Sequence, residues 1–168
     1  MKTSTDRILT THTGSIARPD DLIELMRAKE NGLPYDQDEF ESRVSAAVND
    51  CVRRQVEAGL DVINDGEQRK SGFATYLSER IGGFKGLPYD DGEPPGSQWP
   101  EVGEFPEYYA RYFKTAMFGA MLSPQRRLVC RGPVTYVGQE ALAIDIANLR
   151  GALAGRQYTE VFMSAAFA

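Results

Sequence analysis

The chain has 168 residues, 42% of them hydrophobic and 26% charged, with a formal net charge of −5. That length fits one domain, and the apolar share excludes wholesale disorder. The acidic balance argues against a nucleic-acid or anionic-membrane partner, which would require a basic footprint, and the length falls short of the ~250 residues of a complete eight-stranded α/β barrel.

Arg7 to Thr13 reads as a short strand ending at Gly14-Ser15. Arg18-Pro19 leads into a helix whose first turn carries Asp20 and Asp21, suited to the positive end of the helix dipole; Asn31-Gly32 closes it. The clearest helix runs from about Asp36 to Gly59. Phe40, Val44, Ala47, Val48, Cys51, Val52 and Val56 fall mostly at spacings of three and four, which predicts one buried stripe. Asp61 to Asp65 follows as a short strand, and a shorter helix is expected from about Phe73 to Ile81.

Residues 82–106 read as a long loop with six glycines and five prolines, either a lid or binding loop or else a mobile excursion or a shared interface. The aromatic-rich stretch from Phe105 to Phe113 predicts a helix. Arg127 to Cys130 and Pro133 to Val137 read as strand, Gln139 to Ala154 as a second strong helix, and Val161 to Ala168 as a buried parallel strand interrupted only by Ser164. Strand and helix alternate, which predicts α/β architecture with about four parallel strands.

No run approaches the ~18–20 apolar residues of a membrane span. The start of the chain lacks a secretory apolar run, so a cytoplasmic location is expected. The two cysteines, Cys51 and Cys130, make neither a disulfide framework nor a metal cluster, and His12 is the lone histidine. Neither glycine-rich phosphate motif is present.

In parallel α/β folds, functional groups gather at the C-terminal ends of strands. Two such ends carry chemistry here. His12, Gly14 and Ser15 could offer backbone N–H groups and a hydroxyl to an anion, or simply form a capped turn. Asp65 and Glu67 could hold an ammonium or move a proton, or form a solvated Asp-Gly turn. Arg126, Arg127 and Arg131 are candidates for an anionic tail, with solvated arginines as the alternative.

Together these segments resemble a known family. Thr11-His12-Thr13-Gly14-Ser15-Ile16-Ala17-Arg18-Pro19 is similar to the first-strand signature of the cobalamin-independent methionine synthase catalytic-domain family, in its short single-barrel form. Asp65-Gly66-Glu67-Gln68-Arg69 with the following helix resembles its second-strand signature. Cys130-Arg131-Gly132-Pro133-Val134 and Glu160-Val161-Phe162-Met163 resemble its next two strands. The resemblance implies the N-terminal half of a (β/α)8 TIM-type barrel spanning residues 1–168. It implies methyl transfer from methyltetrahydrofolate to a zinc-bound homocysteine thiolate, giving methionine. The residue matching Ser15 would help bind the amino-acid carboxylate, and that matching Glu67 would hold the amino group.

The family's zinc ligands, a His-x-Cys pair and a further Cys, belong to later barrel strands, as do its second amino-group carboxylate and its folate-stacking Trp. Trp99 lies in an earlier loop and does not take that role. Zinc ligands are therefore expected outside these residues, with the missing half coming from a second half-barrel chain, self-association or the remainder of a longer chain. The alternatives are coenzyme M-type alkyl transfer or demethylation on the same scaffold, and a non-catalytic half-barrel that serves as a binding or assembly subunit.

Overall fold

A computed structural model describes residues 2–87, 99–115 and 127–165. In chain order its elements are α1 (Asp20–Glu30), α2 (Gln37–Glu57), β1 (Val62–Ile63), α3 (Phe73–Ser78), β2 (Ile81–Leu87), α4 (Pro100–Glu104), α5 (Pro106–Thr115), β3 (Arg127–Tyr136), α6 (Gln139–Leu153) and β4 (Glu160–Val161). They form two compact units: Met1–Lys70 with Gly138–Ala168, and Ser71–Val137.

The first unit is an α/β layer. Asp36 caps α2 by accepting a hydrogen bond from the Glu39 amide at 2.9 Å, and the helix closes on Ala58-Gly59, Gly59 taking a φ of +77°. The stripe expected on α2 is buried from Phe40 to Val52 and meets Leu22 and Met26 of α1 and Ile63 of β1 among the core residues. Each buried Val, Leu, Ile, Phe or Met among them contributes roughly 1.5–3 kcal/mol of apolar burial. The stripe departs from expectation at its C-terminal end: Gln55, not Val56, is buried. Its amide faces the end of β1.

The strands of this unit are parallel. Val62 pairs with Glu160 and Ile63 with Val161, while Thr11 bridges Val62 on the opposite side. The amides of Asp61 and Val62 donate to Thr10 O at 3.0 and 3.1 Å, and Phe162 N donates to Ile63 O at 3.0 Å. β1 is therefore flanked on both sides, with α1 and α2 linking the Thr11 segment to β1. Helix α2 packs against both α1 and α6. Arg69 pairs with Glu41 of α2 and lies 3.4 Å from Asp145 of α6, so the turn after β1 is pinned to both helices.

The second unit corrects the sequence expectation. Residues 127–136 form one strand, not a parallel barrel strand, and it pairs antiparallel with β2, from Ile81↔Tyr136 to Leu87↔Arg127. β2 itself occupies the start of the segment read as a loop, and α4 lies near its end; residues 88–98 lie outside the described residues. The glycines that disguised β2 serve the pairing. The register shifts between Gly82 and Phe84, where Gly83 has a φ of +90° and a Cβ there would collide with the Pro133 carbonyl. Pro133, with no N–H to donate to the ladder, stands opposite this bulge. The expectation of about four parallel strands therefore holds only for the Thr11 segment, β1 and β4.

The helix after residue 72 also ends earlier than expected, because Ile81 begins β2 rather than closing α3. The final apolar run pairs as a strand only at Glu160–Val161, with Phe162 adding one further hydrogen bond; residues 166–168 lie outside the described residues.

Candidate functional site

Two strand ends of the first unit come together. The residues that follow Thr11 and those that follow β1 are tied by backbone and amide groups: Ile16 N donates to Gly66 O at 3.0 Å, and Gln68 Nε2 donates to Ile16 O at 2.9 Å. Asn64 Nδ2 donates to His12 O at 2.6 Å, while Asn64 Oδ1 accepts from Gly66 N at 2.8 Å. Asn64 is held in turn by Gln55, whose Nε2 donates to Asn64 O at 2.8 Å and whose Oε1 accepts from Asn64 N at 3.2 Å. A buried amide on α2 thus satisfies both backbone groups of the residue where β1 ends, which is why position 55 is polar on an apolar face.

The turn that follows bends sharply. Gly66 has a φ of +61°, and Glu67 is the one non-glycine with positive φ among the described residues, at +56°. A Cβ on Gly66 would run into Cys51 Sγ. Asp65 Oδ1 accepts from Glu67 N at 3.1 Å, and Arg18 reaches across to Gln68 O at 3.1 Å, Glu67 O at 2.6 Å and Lys70 O. A carboxylate residue in this sparsely populated conformation, fixed from both sides, makes this turn the candidate site.

Glu67 is 7% exposed, and its carboxylate is the centre of the arrangement. Oε2 accepts from Ser15 Oγ at 2.6 Å, and Oε1 accepts from Ser164 Oγ at 2.8 Å. Lys70 Nζ donates to Ser164 Oγ at 2.9 Å and also to the Ser164 carbonyl. Burial pushes the Glu67 carboxyl up. The hydrogen bonds from Ser15 and Ser164 and the charges of Lys70 and Arg18 outweigh it and hold the group below its ordinary value. The Arg18 guanidinium is pulled down by burial, against the raising influence of Glu67 and Asp65. Two carboxylates, Glu67 and Asp65, thus face two cations, Lys70 and Arg18.

The residues singled out from the sequence fall into two groups. Ser15, Glu67 and Asp65 share this cluster. Gly14, with a φ of +98°, makes the turn that presents Ser15, and His12 Nε2 lies 3.1 Å from Gly14 O, closing the same loop. Arg131 lies exposed on β3 in the other unit, Arg127 begins that strand, and Arg126 lies outside the described residues. Sequence reasoning missed Ser164 as part of the cluster. The signal for Ser164 was its place as the lone polar residue of the last apolar run.

A thiol-activating zinc ion requires three or four converging His, Cys or carboxylate ligands. Among the described residues no group of three or more such side chains converges. Cys51 is buried, accepts a hydrogen bond from Gln55 at 3.2 Å, and has its thiol pushed up to about 11 by burial; Cys130 is exposed on β3 of the other unit. The described residues therefore do not fit a zinc site. Nor, among them, is any helix long and apolar enough to cross a membrane.

Residues 8–148 match the sequence family described as the cobalamin-independent synthase catalytic domain. The methionine synthase of Sulfolobus acidocaldarius is 40% identical over 76 residues, 45% of this chain and 22% of that protein. The methionine synthase of Saccharolobus islandicus is 38% identical over 76 residues, 45% of this chain and 23% of its own. The 5-methyltetrahydropteroyltriglutamate–homocysteine methyltransferase of Desulforamulus reducens is 29% identical over 75 residues, 45% of this chain and 10% of its own. The matches thus span less than a quarter of each relative's length.

Proposed function

The chain belongs to the cobalamin-independent synthase catalytic-domain family, and from that premise we propose that it supplies the amino-acid pocket of an enzyme transferring a methyl group to a thiol. Homocysteine is the acceptor, a methylfolate the donor and methionine the product. The names of the relatives support that choice: two are methionine synthases and one is a methyltransferase acting on homocysteine.

The observation that carries the reading is the Glu67 carboxylate. It is buried, held ionised and fixed by two hydroxyls, so it presents a preorganised charge to a ligand ammonium. Ser15, exposed at the rim, and the turn made by Gly14 face the ligand's carboxylate, while His12 and Asp65 keep the two loops in shape. The balanced charges of Glu67, Asp65, Lys70 and Arg18 suit a zwitterion better than a ligand of net charge. A sulfonate thiol has no ammonium for Glu67, which favours the amino-acid acceptor over coenzyme M.

In this reading the Thr11 segment, β1 and β4 are strands of a (β/α)8 barrel completed by further polypeptide, and the zinc ligands lie outside the described residues. The parallel pairing on both sides of β1 supports the barrel geometry.

The test is binding of homocysteine against 4-mercaptobutanoate, which lacks the amino group, to wild type and to Glu67→Gln. Wild type prefers homocysteine by about tenfold or more, the range of a hydrogen bond between charged groups, and the variant loses that preference. Equal binding of both thiols to wild type contradicts the reading.

A further inference from the structure

The two units differ in what they bury. Of the thirteen buried apolar residues among the described ones, only Tyr76 belongs to Ser71–Val137, whereas seven of the ten exposed large apolar residues do. A two-stranded ribbon is marginally stable alone and needs a covered face. Here α3 packs against β2, and α4 and α5 pack on each other. An apolar surface is left on the ribbon at Phe84, Val134 and Tyr136, and another on the helix pair at Trp99, Phe105 and Tyr108. The aromatic members are between 38% and 59% exposed. From rings of ~150–250 Å² each, that is roughly 500 Å², the larger part of the ~800 Å² each partner brings to a standard interface. Tyr108 is also ordered in advance: it stacks on Tyr112 with centroids 5.7 Å apart and meets Tyr109 edge-on at 5.1 Å, which lowers the entropy cost of association.

The two surfaces are opposite in charge. β2 and β3 contain no acidic residue, and Lys85 and Arg131 stand exposed on them. From Pro100 to Tyr109 the helix pair has no basic residue, and Glu101, Glu104 and Glu107 are exposed. None of these five charges takes part in an ion pair among the described residues. Both surfaces stay open within one copy of the chain.

We propose that Ser71–Val137 is a self-association surface: the basic ribbon of one copy docks on the acidic α4–α5 surface of a second copy, and the partner returns the same contact, closing a two-fold dimer. Like surfaces repel and unlike ones attract, which fixes the pairing. The contact is independent of the pocket at Glu67.

The experiment is sedimentation equilibrium of the 168-residue chain over a range of concentration and salt. Wild type is a dimer that dissociates more readily as salt rises. Lys85→Glu with Arg131→Glu makes both surfaces negative, and Glu104→Lys with Glu107→Lys makes both positive. Each double variant dimerises about tenfold more weakly or worse. An equimolar mixture of the two restores the dimer, because every ribbon then meets a helix pair of opposite sign; a misfolded variant is not rescued in this way. Tyr108→Ser weakens dimerisation while leaving its salt dependence in place. A wild type that stays monomeric at every concentration overturns the proposal and gives the two surfaces to another partner or to further polypeptide. A dimer indifferent to both charge reversals, or two variants that fail to complement each other, overturns it as well by placing the contact elsewhere.

Discussion

Ser15 Oγ donates to Glu67 Oε2 over 2.6 Å, joining residues 52 apart in the chain. The contact exists because Thr11 and Val62 pair in parallel, so that both segments end on the same side and their following turns meet. A hydroxyl and a carboxylate, each an ordinary turn residue alone, become one polar cluster with Ser164 and Lys70.

The first prediction concerns acid stability. A carboxyl held below its unfolded value contributes stability that is complete above that value and lost as pH falls through the folded one. The unfolded value for Glu67 is 4.5, and its folded value is lower, so its contribution disappears progressively below that pH. Glu41, held down chiefly by its hydrogen bond from Arg69, and Asp61, held down chiefly by Arg7, shift in the same direction. Urea denaturation across pH should therefore show wild type losing stability on acidification, with a shallower loss in Glu67→Gln. Parallel curves for the two proteins would count against an ionised, hydrogen-bonded Glu67.

Gly66→Ala forces a side chain into a left-handed conformation and onto Cys51 Sγ. The two penalties together should cost about 2–4 kcal/mol in equilibrium denaturation. Adding Cys51→Ala removes the collision but not the backbone strain, so the double variant should regain part of the loss. Simple additivity of the two variants would show that Gly66 does not approach Cys51.

Gln55→Leu keeps the apolar stripe of α2 and removes both partners of the Asn64 backbone. Unsatisfied buried groups of this kind cost about 1–3 kcal/mol each. The variant should be destabilised within that range or above it, and Asn64 should lose amide-exchange protection more than the centre of α2 does. A neutral or stabilising effect would mean that the amide does not hold the end of β1.

The thiols should separate by reactivity. Cys130 is exposed, whereas Cys51 is buried and its thiol is pushed up to about 11. A disulfide reagent at neutral pH should modify one thiol rapidly and the second only after denaturant is added. Rapid modification of Cys51 in the native protein would contradict its burial against Gly66.

These residues also show what was legible in the sequence. The stripe from Phe40 to Val52 and the Asp36 cap rest on local spacing, so α2 was readable from the chain alone. Ser15 and Glu67 stood out as chemistry at strand ends. Their contact did not, because long-range parallel pairing creates it. Ser164 lies 97 residues from Glu67, and its role arises only where β4 brings the following chain to the same turn. Gln55 broke an apolar pattern for a tertiary reason, a partner for Asn64. β2 was hidden by Gly82, Gly83 and Gly86, which lower strand propensity, while Gly83 also lets the backbone of β3 approach at Pro133.

The most direct measurement is a crystal structure of the protein with bound homocysteine. The account predicts the ligand ammonium within ~3 Å of the Glu67 carboxylate, with Ser164 still on Oε1 and the ligand carboxylate at the Gly14-Ser15 turn. A ligand bound elsewhere, with Glu67 still closed by both Ser15 and Ser164, would contradict it.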